Sequence, residues 1–347
     1  MAEEFLAPEV VADLKARAIS QPLVEHIYTA DPSAHVFNGK IYIYPSHDIE
    51  AGIPFNDNGD HFGMEDYHVI SLDSPDSPAV DNGVALHVKD VAWAERQMWA
   101  PDAAHKNGKY YLYFPAKRAD GIFQIGVAVG DSPVGPFKAE PEAIKGSYSI
   151  DPAVFEDTAK DRDSEYYMYF GGIWGGQLQN YRNNQYDASR GEPADNEPAL
   201  GPIVARMSDN MKEFAETPRE IKILDENGNP LLAGDHDRRF FEASWMHKYN
   251  GKYYFSYSTG NTHFLCYATG DNPYGPFTYQ GRILEPVIGW TTHHSIAEFQ
   301  RQWYLFYHDS ILSKGITHLR SVKMAPLNYN ADGSIKTITP YRDWPFI

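Results

Sequence analysis

Five residues capable of chemistry stand at the starts of five similar segments of this chain. Three are carboxylic acids followed by Pro or Ala and a short apolar run: Asp31, Asp151 and Glu242. Asp102 and His293 take the same place in the other two segments. Carboxylates that converge in one pocket raise one another's pKa and cost stability, so a fold keeps them mainly for chemistry. A protonated carboxyl paired with an ionised one is the arrangement that cleaves glycosidic bonds.

A single Asp before Pro has an ordinary explanation, because this pair is common in turns. Three acids in register at the starts of separate segments are not explained in that way. The segments share a leading polar residue, a short apolar run, a turn and an aromatic-rich run. They are ADPSAHVFNGKIYIY at 30–44, APDAAHKNGKYYLYF at 100–114, IDPAVFEDTAKDRDSEYYMYF at 150–170, FEASWMHKYNGKYYFSY at 241–257 and THHSIAEFQRQWYLFYH at 292–308.

The turns identify the flanking runs as strands. Asn-Gly pairs at 38–39, 107–108 and 250–251 separate apolar runs, and Asn-Gly tolerates the positive φ of a tight hairpin. Repeats of about 40–50 residues with about four antiparallel strands are typical of propeller blades. We therefore predict an all-β fold, a five-bladed β-propeller whose leading residues meet near its axis. Longer spacings between the repeats indicate insertions near 47–68 and 173–238.

We expect one domain over residues 1–347, with an N-terminal extension over 1–21 that contains a short amphipathic helix near 8–18.

Composition and charge narrow the functional classes to which this protein can belong. The net charge of −17 argues against nucleic acid and anionic membranes as partners, because both need basic patches. No apolar run approaches the roughly 20 residues of a membrane span. The single cysteine, Cys266, and the lack of a visible signal peptide favour a cytoplasmic protein; the alternative is a secreted protein that has been trimmed.

Four tryptophans are expected close to the inner ends of their blades: Trp99, Trp174, Trp245 and Trp290. Their ring faces offer flat apolar surfaces on which sugar rings can stack. The alternative is that they pack between the blades, as large aromatic side chains commonly do.

The chain resembles glycoside hydrolase family 43 over residues 22–340. The resemblance rests on ADPS at 30–33, WAPD at 99–102, IDPAVF at 150–155, FEASW at 241–245 and THHSI at 292–296, together with DSPVGPF at 131–137 and DNPYGPF at 271–277. It is similar above all to the short, single-domain β-xylosidases of that family that also act on α-L-arabinofuranosides. The resemblance implies a five-bladed propeller and inversion of the anomeric configuration.

The resemblance also implies roles for individual residues. Asp31 becomes the general base, Glu242 the general acid, and Asp151 the residue that tunes the pKa of the acid and orients it. Arg320 is expected to contact the sugar and a catalytic carboxylate. Apart from the resemblance, we expect Asp102 to bind substrate with the tryptophans, because it leads one of the repeats that meet at the pocket. A calcium ion is expected near His293. Because Ca²⁺ prefers oxygen ligands, we expect water to supply most of its coordination and the ion to activate the enzyme.

The sequence thus predicts an inverting exo-glycosidase. The favoured activity is that of a β-D-xylosidase that releases xylose from xylo-oligosaccharides or arabinoxylan-derived oligosaccharides, with α-L-arabinofuranosidase side activity. Exo action is expected because the insertions near 47–68 and 173–238 can wall one end of the site. The alternatives are an α-L-arabinofuranosidase or arabinanase and, from another class, a non-catalytic sugar-binding propeller. No pattern in the sequence indicates an oligomeric state.

Overall fold

The structure, a computed structural model, describes residues 5–159 and 161–343. Its strands form five larger, mainly antiparallel sheets that follow one another along the chain, and one short two-stranded hairpin. Blade one contains β1 (Tyr28–Phe37), β2 (Lys40–Asp48), β3 (Asp66–Leu72) and β4 (Val80–His87), and blade two contains β5 (Asp102–Lys106), β6 (Lys109–Lys117), β7 (Phe123–Gly130) and β8 (Lys138–Ala139). A single 3₁₀ turn, Val88–Asp90, follows β4.

Blades three to five depart from a uniform four-stranded plan. Blade three contains β9 (Ala153–Ala159), β10 (Arg162–Phe170), β13 (Ile203–Arg206) and β14 (Arg219–Glu220). The insertion between β10 and β13 contains two 3₁₀ turns, Trp174–Gly176 and Leu178–Asn180. It also contains a hairpin of β11 (Tyr181–Arg182) and β12 (Gln185–Tyr186). Blade four contains β16 (Glu242–Tyr249), β17 (Lys252–Ser258), β18 (Leu265–Gly270) and β19 (Phe277–Leu284), with β15 (Ile223–Leu224) added in parallel to β19. Blade five contains β20 (Ser295–Phe299), β21 (Gln302–Asp309) and β22 (Ser321–Leu327).

The first strand of each blade lies at the centre of the ring. Residues 34–37, 103–105, 153–156, 245–248 and 296–298, from β1, β5, β9, β16 and β20, together line one axial channel. The ring closes between blades one and five, where the amide of Ala34 donates to Ser295 Oγ at 2.9 Å. Nearby, the amide of Thr29 donates to the Arg320 carbonyl oxygen at 2.9 Å. The predicted five-bladed β-propeller is therefore confirmed.

The hairpin turns have the backbone geometry that the sequence predicts. Asn38 and Gly39 have φ values of 51° and 76°, and the pairs at 107–108 and 250–251 are alike. Positive φ at both central positions matches the right-handed twist of the flanking strands. These turns set the register that brings each leading residue to the inner end of its blade.

The N-terminal region forms helix α1 (Pro8–Arg17), close to the helix predicted near 8–18. Pro8 lies at the first helical position, where its missing N–H group costs nothing. Val11 and Leu14 are buried and pack against Ile311 and Tyr341. Within residues 5–159 and 161–343, no helix has the length and apolar character needed to cross a membrane.

Candidate active site

An open cavity lies where the inner strands of the propeller begin. It contains about 710 Å³ of empty space, part of it continuous with solvent. Asp31, Asp151, Glu242 and His293, the leading residues of four blades, line it together with Arg320. The fold thus brings residues that are far apart in sequence into one pocket.

The backbone at this pocket is strained. Asp31 and Asp151 have φ values of 51° and 57°, in the left-handed region that residues other than glycine rarely adopt. A bulge interrupts the pairing of β1 with β2 just after Asp31. A similar irregularity follows Glu242 in β16, where Ala243 has a φ of 65°. Such residues persist where the surrounding structure holds them, and they cluster at functional sites.

Asp31 is buried, and both of its carboxylate oxygens are bound. Arg320 Nη1 donates to Oδ1 at 3.0 Å, and Ser46 Oγ donates to Oδ2 at 2.7 Å. Burial alone raises the pKa of Asp31, but the charge of Arg320, two neighbouring histidines and the Ser46 hydrogen bond outweigh it and lower the pKa to about 2. At neutral pH Asp31 is therefore ionised, which is the state that a general base requires.

Arg320 is held by a second carboxylate. Its Nε and Nη2 each donate to Asp48 at 2.8 Å, while Nη1 also reaches the hydroxyl of Thr291 at 3.0 Å. Burial opposes the charge of Arg320, but the charges of Asp31 and Asp48 more than compensate and raise its pKa. The guanidinium therefore remains a fixed positive charge that faces both the cavity and Asp31.

Glu242 has the opposite electrostatic environment. Among the residues that the structure describes, its carboxyl group has no hydrogen bond or ion pair. Burial and the negative charge of Asp31 raise the pKa of Glu242 to about 8, against a smaller lowering effect of Arg320. A carboxyl group that keeps its proton at neutral pH and faces a cavity can act as a general acid.

Asp151 is linked to the Glu242 segment by its backbone and by charge. Asp151 Oδ2 accepts a hydrogen bond from the amide of Ala243 at 2.9 Å. Burial, followed by the charges of Glu242 and Asp31, raises the pKa of Asp151 well above its ordinary value. Repulsion is reciprocal, so Asp151 and Glu242 titrate as a pair. This geometry lets Asp151 position the segment that carries Glu242.

Three of the predicted tryptophans line the cavity: Trp99, Trp174 and Trp290. Trp99 Nε1 donates to the carbonyl oxygen of Phe62 at 2.8 Å, and the Trp174 and Trp290 ring centroids lie 5.7 Å apart. The rings are therefore held in place by the protein and present apolar surface to the cavity.

Asp102 does not line this cavity, which corrects the predicted substrate contact. It is 0% exposed. Its Oδ1 accepts hydrogen bonds from His35 Nε2 at 2.6 Å and from the Ala103 amide at 2.7 Å, and its Oδ2 accepts one from the Val154 amide at 2.6 Å. Since His35 belongs to blade one and Val154 to blade three, Asp102 ties three blades together instead of facing a ligand.

Trp245 also lies away from the cavity, and its predicted sugar contact is corrected in the same way. The indole lines the axial channel, and its Nε1 donates to the carbonyl oxygen of Ile296 at 3.1 Å. Three residues of extended strand span about 10 Å, which carries Trp245 along β16 and away from Glu242. Proximity in sequence to a catalytic candidate did not mean proximity in space.

The sequence analysis did not assign several residues of the site. Phe62 and Phe241 add aromatic surface to the cavity. Asp48 holds Arg320 in place. His61 is buried at the cavity, and its Nε2 has no hydrogen-bond partner in the described part of the chain. A sugar hydroxyl is a partner of the right type for this nitrogen.

His293 is the residue that the sequence analysis assigned to a metal ion. Its Nδ1 lies 3.5 Å from Asp31 Oδ1 and 4.0 Å from Asp151 Oδ2. Burial lowers the pKa of His293 to about 4, although Asp31 acts in the opposite direction, so the imidazole is neutral and able to bind a metal. His293 would hold a hydrated Ca²⁺ ion, and the nearby carboxylates of Asp31 and Asp151 are oxygen groups of the type that Ca²⁺ prefers.

Known proteins are similar in sequence to this chain over most of its length. A xylosidase/arabinosidase 43A from Humicola insolens is 65% identical over 328 residues, which cover 92% of this chain and 99% of the relative. A xylosidase/arabinosidase from Bacteroides ovatus is 62% identical over 317 residues, which cover 91% of this chain and 96% of the relative.

Solved structures share the fold as well. A β-xylosidase/α-arabinofuranosidase from a compost microbial metagenome, in complex with xylotriose and calcium-free, is 67% identical with a TM-score of 0.90, covering 93% of this chain and 98% of that one. A Xanthomonas citri enzyme complexed with xylotriose is 63% identical with a TM-score of 0.91, and the match covers 96% of this chain and 98% of that one. The family model described as glycosyl hydrolases family 43 matches residues 29–335, from blade one to blade five. The sequence of this chain, its propeller fold and its paired carboxylates all point to the same family. The chain belongs to glycosyl hydrolases family 43.

Proposed function

We propose that this glycoside hydrolase is an exo-acting, inverting β-D-xylosidase that releases xylose from xylo-oligosaccharides and also accepts α-L-arabinofuranosides. The observation that carries the proposal is the opposite protonation of two carboxyl groups in one cavity. The pKa of Asp31 is lowered to about 2, and that of Glu242 is raised to about 8. One group can therefore accept a proton while the other donates one at the same pH.

The reaction follows from these two states. Asp31 accepts a proton from a water molecule, whose oxygen attacks the anomeric carbon from the face opposite the leaving group. Glu242 donates its proton to the departing glycosidic oxygen, so the bond breaks without forming an alkoxide. Arg320 holds the Asp31 carboxylate in position, and Asp151 holds the Ala243 amide and so positions the segment that carries Glu242.

The walls of the cavity support exo action. Gly59, in the loop between β2 and β3, packs so closely on Trp99 that an added Cβ would lie 2.7 Å from the indole ring. Gly175, in the insertion of blade three, similarly approaches the carbonyl oxygen of Asn58, with an added Cβ 2.7 Å away. The two predicted insertions therefore meet beside Trp99. Such a contact closes one side of the cavity, whereas an endo-acting enzyme needs a cleft that is open at both ends.

The substrate class is supported by the relatives. Two carry both xylosidase and arabinosidase in their names, and two solved enzymes hold xylotriose. Xylopyranose and arabinofuranose can present similar hydroxyl geometry, so one pocket is able to accept both sugars. An α-L-arabinofuranosidase or arabinanase, and a sugar-binding propeller without activity, are the alternatives that an assay must separate.

Digestion of xylotriose followed by proton NMR tests the proposal directly. We expect xylose to be released one unit at a time, with the α anomer appearing first. Cleavage of 4-nitrophenyl β-D-xyloside should exceed that of 4-nitrophenyl α-L-arabinofuranoside. Release of the β anomer first contradicts inversion, a preference for the arabinoside favours the first alternative, and binding without turnover favours the second.

We also propose that Ca²⁺ binds at His293 and activates the enzyme. The neutral imidazole and the nearby carboxylates of Asp31 and Asp151 support this site. When bound, the ion supplies positive charge that favours the ionised form of Asp31. Because water supplies most of the coordination, we expect the affinity to be modest and activity to persist at a reduced level without the ion.

A further inference from the structure

A second group of metal-binding side chains lies on blade one, outside the catalytic cavity. His47 on β2 and Asp66 and His68 on β3 each offer a ligand atom, and all three atoms lie within 4.8 Å of one another. These three side chains are partly buried, with 12–16% of their surfaces exposed. An ion can therefore reach the group from solvent, yet most of its surroundings are protein.

The strand register explains why these residues meet. β2 pairs with β3 so that Ile43 faces Ile70, and the same register continued along the strands brings His47 opposite Asp66. Asp66 and His68 are two residues apart, so their side chains lie on one face of the sheet. Asp48, which holds Arg320, follows His47 directly and therefore points to the opposite face. One of the three possible ligands, His47, is therefore next to Asp48 along the chain, but all three lie on the other face of the sheet.

The distances between the possible ligand atoms lie on either side of the ligand-to-ligand distance in a three-ligand metal site. His47 Nδ1 lies 2.5 Å from Asp66 Oδ1, and His68 Nε2 lies 4.0 Å from Asp66 Oδ2. An ion about 2.0–2.2 Å from each ligand holds neighbouring ligands roughly 3.3 Å apart in tetrahedral geometry. Small rotations of the side chains therefore suffice to bring all three to a common centre.

A further carboxylate orients one of the ligands. His68 Nδ1 lies 2.8 Å from Asp81 Oδ1, and Asp81 Oδ2 lies 2.8 Å from His26 Nε2. Because Nδ1 of His68 is engaged with Asp81, its Nε2 is directed to Asp66 and His47. Histidines that bind metals usually have such a carboxylate on the other ring nitrogen, which fixes the ring orientation and increases ligand basicity.

From this geometry we propose that His47, Asp66 and His68 bind a divalent transition metal ion of the zinc class, with Asp81 as the supporting carboxylate. Two imidazoles and one carboxylate suit Zn²⁺ and similar ions, whereas Ca²⁺ prefers an all-oxygen site. The bound ion joins β2 to β3 beside Asp48. Since it binds the folded protein, it stabilises the blade that carries Asp31, Ser46 and Asp48.

Calorimetric titration of Zn²⁺ into metal-free protein without a polyhistidine tag tests the proposal. We expect one site per chain that is lost in His68→Ala and in His47→Ala. Asp81→Asn should retain the site with an affinity about 10–100-fold weaker. His87→Ala provides a matched control, because His87 is a partly exposed histidine of the same blade that contacts Glu65. His293→Ala should also retain the site.

Two further readouts make the result independent of hydrolysis. Zn²⁺ should raise the melting temperature of the wild type and of His87→Ala, but not that of His68→Ala or His47→Ala. Co²⁺ should give visible d–d absorption that the same two variants lose. Melting curves without metal establish that each variant is folded; if one is not, the other carries the comparison. Absence of Zn²⁺ binding, or binding that both variants retain, overturns the proposal and leaves the group as an ordinary histidine–aspartate network.

Discussion

Arg320 Nη1 lies 3.0 Å from Asp31 Oδ1, and the rest of the guanidinium is held by Asp48. Asp31 and Asp48 belong to blade one, whereas Arg320 precedes the last strand of blade five. The contact therefore crosses the closure of the propeller ring. It also sets the charge of the proposed base, because Arg320 has the largest lowering effect on the Asp31 pKa. The integrity of the ring and the ionisation of the base are thus linked through one side chain.

Asp31→Asn should lower kcat by about 10²–10⁴-fold or more on every substrate, because removal of the proposed base prevents activation of water. The measurement compares 4-nitrophenyl β-D-xyloside with xylobiose. Asp73→Asn is a control at an exposed carboxylate that pairs with Lys40, and it should leave kcat unchanged. Substantial activity of Asp31→Asn on either substrate removes Asp31 from the role of base.

Glu242→Gln should discriminate between substrates by their leaving groups. Xylobiose has a poor leaving group that needs protonation, so its kcat should fall by about 10²–10⁴-fold. An aryl xyloside with a good leaving group needs little protonation and should lose much less. Steady-state kinetics on both substrates provides the comparison. Equal losses contradict the assignment of Glu242 as general acid.

Asp151→Asn should move the alkaline limb of the pH profile. In the wild type, kcat/KM should fall on the acidic side as Asp31 is protonated, with a pKa of about 2, and on the alkaline side as Glu242 loses its proton, with a pKa of about 8. Asn at position 151 cannot ionise, so the variant loses the repulsion within the Asp151–Glu242 pair, and the alkaline limb should move to lower pH. Profiles of wild type and variant that coincide, or a shift to higher pH, contradict the coupling.

The raised pKa of Glu242 should also be visible in stability. Between pH 4.5, the ordinary pKa of Glu, and about 8, the folded protein holds a proton that the unfolded chain has released. Stability therefore falls as pH rises through this window, by on the order of a few kcal/mol. Thermal denaturation should show that Glu242→Gln gains stability relative to the wild type between pH 5 and pH 8. Parallel melting temperatures across this range contradict the assignment.

Removal of Ca²⁺ by a chelator should reduce both activity and melting temperature, and calcium titration should restore them in the wild type. His293→Ala should gain neither activity nor melting temperature from added calcium, because it lacks the proposed ligand. His68→Ala serves as the control, since its histidine lies in the separate group on blade one, and it should respond to calcium as the wild type does. If chelated wild type keeps full activity and melting temperature, His293 has no role in metal binding.

The repeated motifs identified the propeller because hairpin chemistry is local. Asn-Gly turns, alternating apolar runs and a leading acid are properties of short segments, and they define each blade before any blade meets another. The same reasoning could not distinguish the leading residues from one another. Asp102 and Asp151 occupy equivalent places in their repeats, yet Asp102 is enclosed by three blades while Asp151 faces the cavity.

The sequence by itself determined the blade count, the hairpins, the family and the identities of Asp31, Asp151 and Glu242 as candidates. Only the tertiary structure decided which residues share the cavity, because that depends on how blades pack around the ring. It placed Trp245 in the axial channel, brought Asp48 to Arg320 and positioned His61 at the cavity wall. It also produced the opposite pKa shifts of Asp31 and Glu242, since burial and charges at a few ångströms, and not neighbours in sequence, set the proton affinity of a carboxyl group.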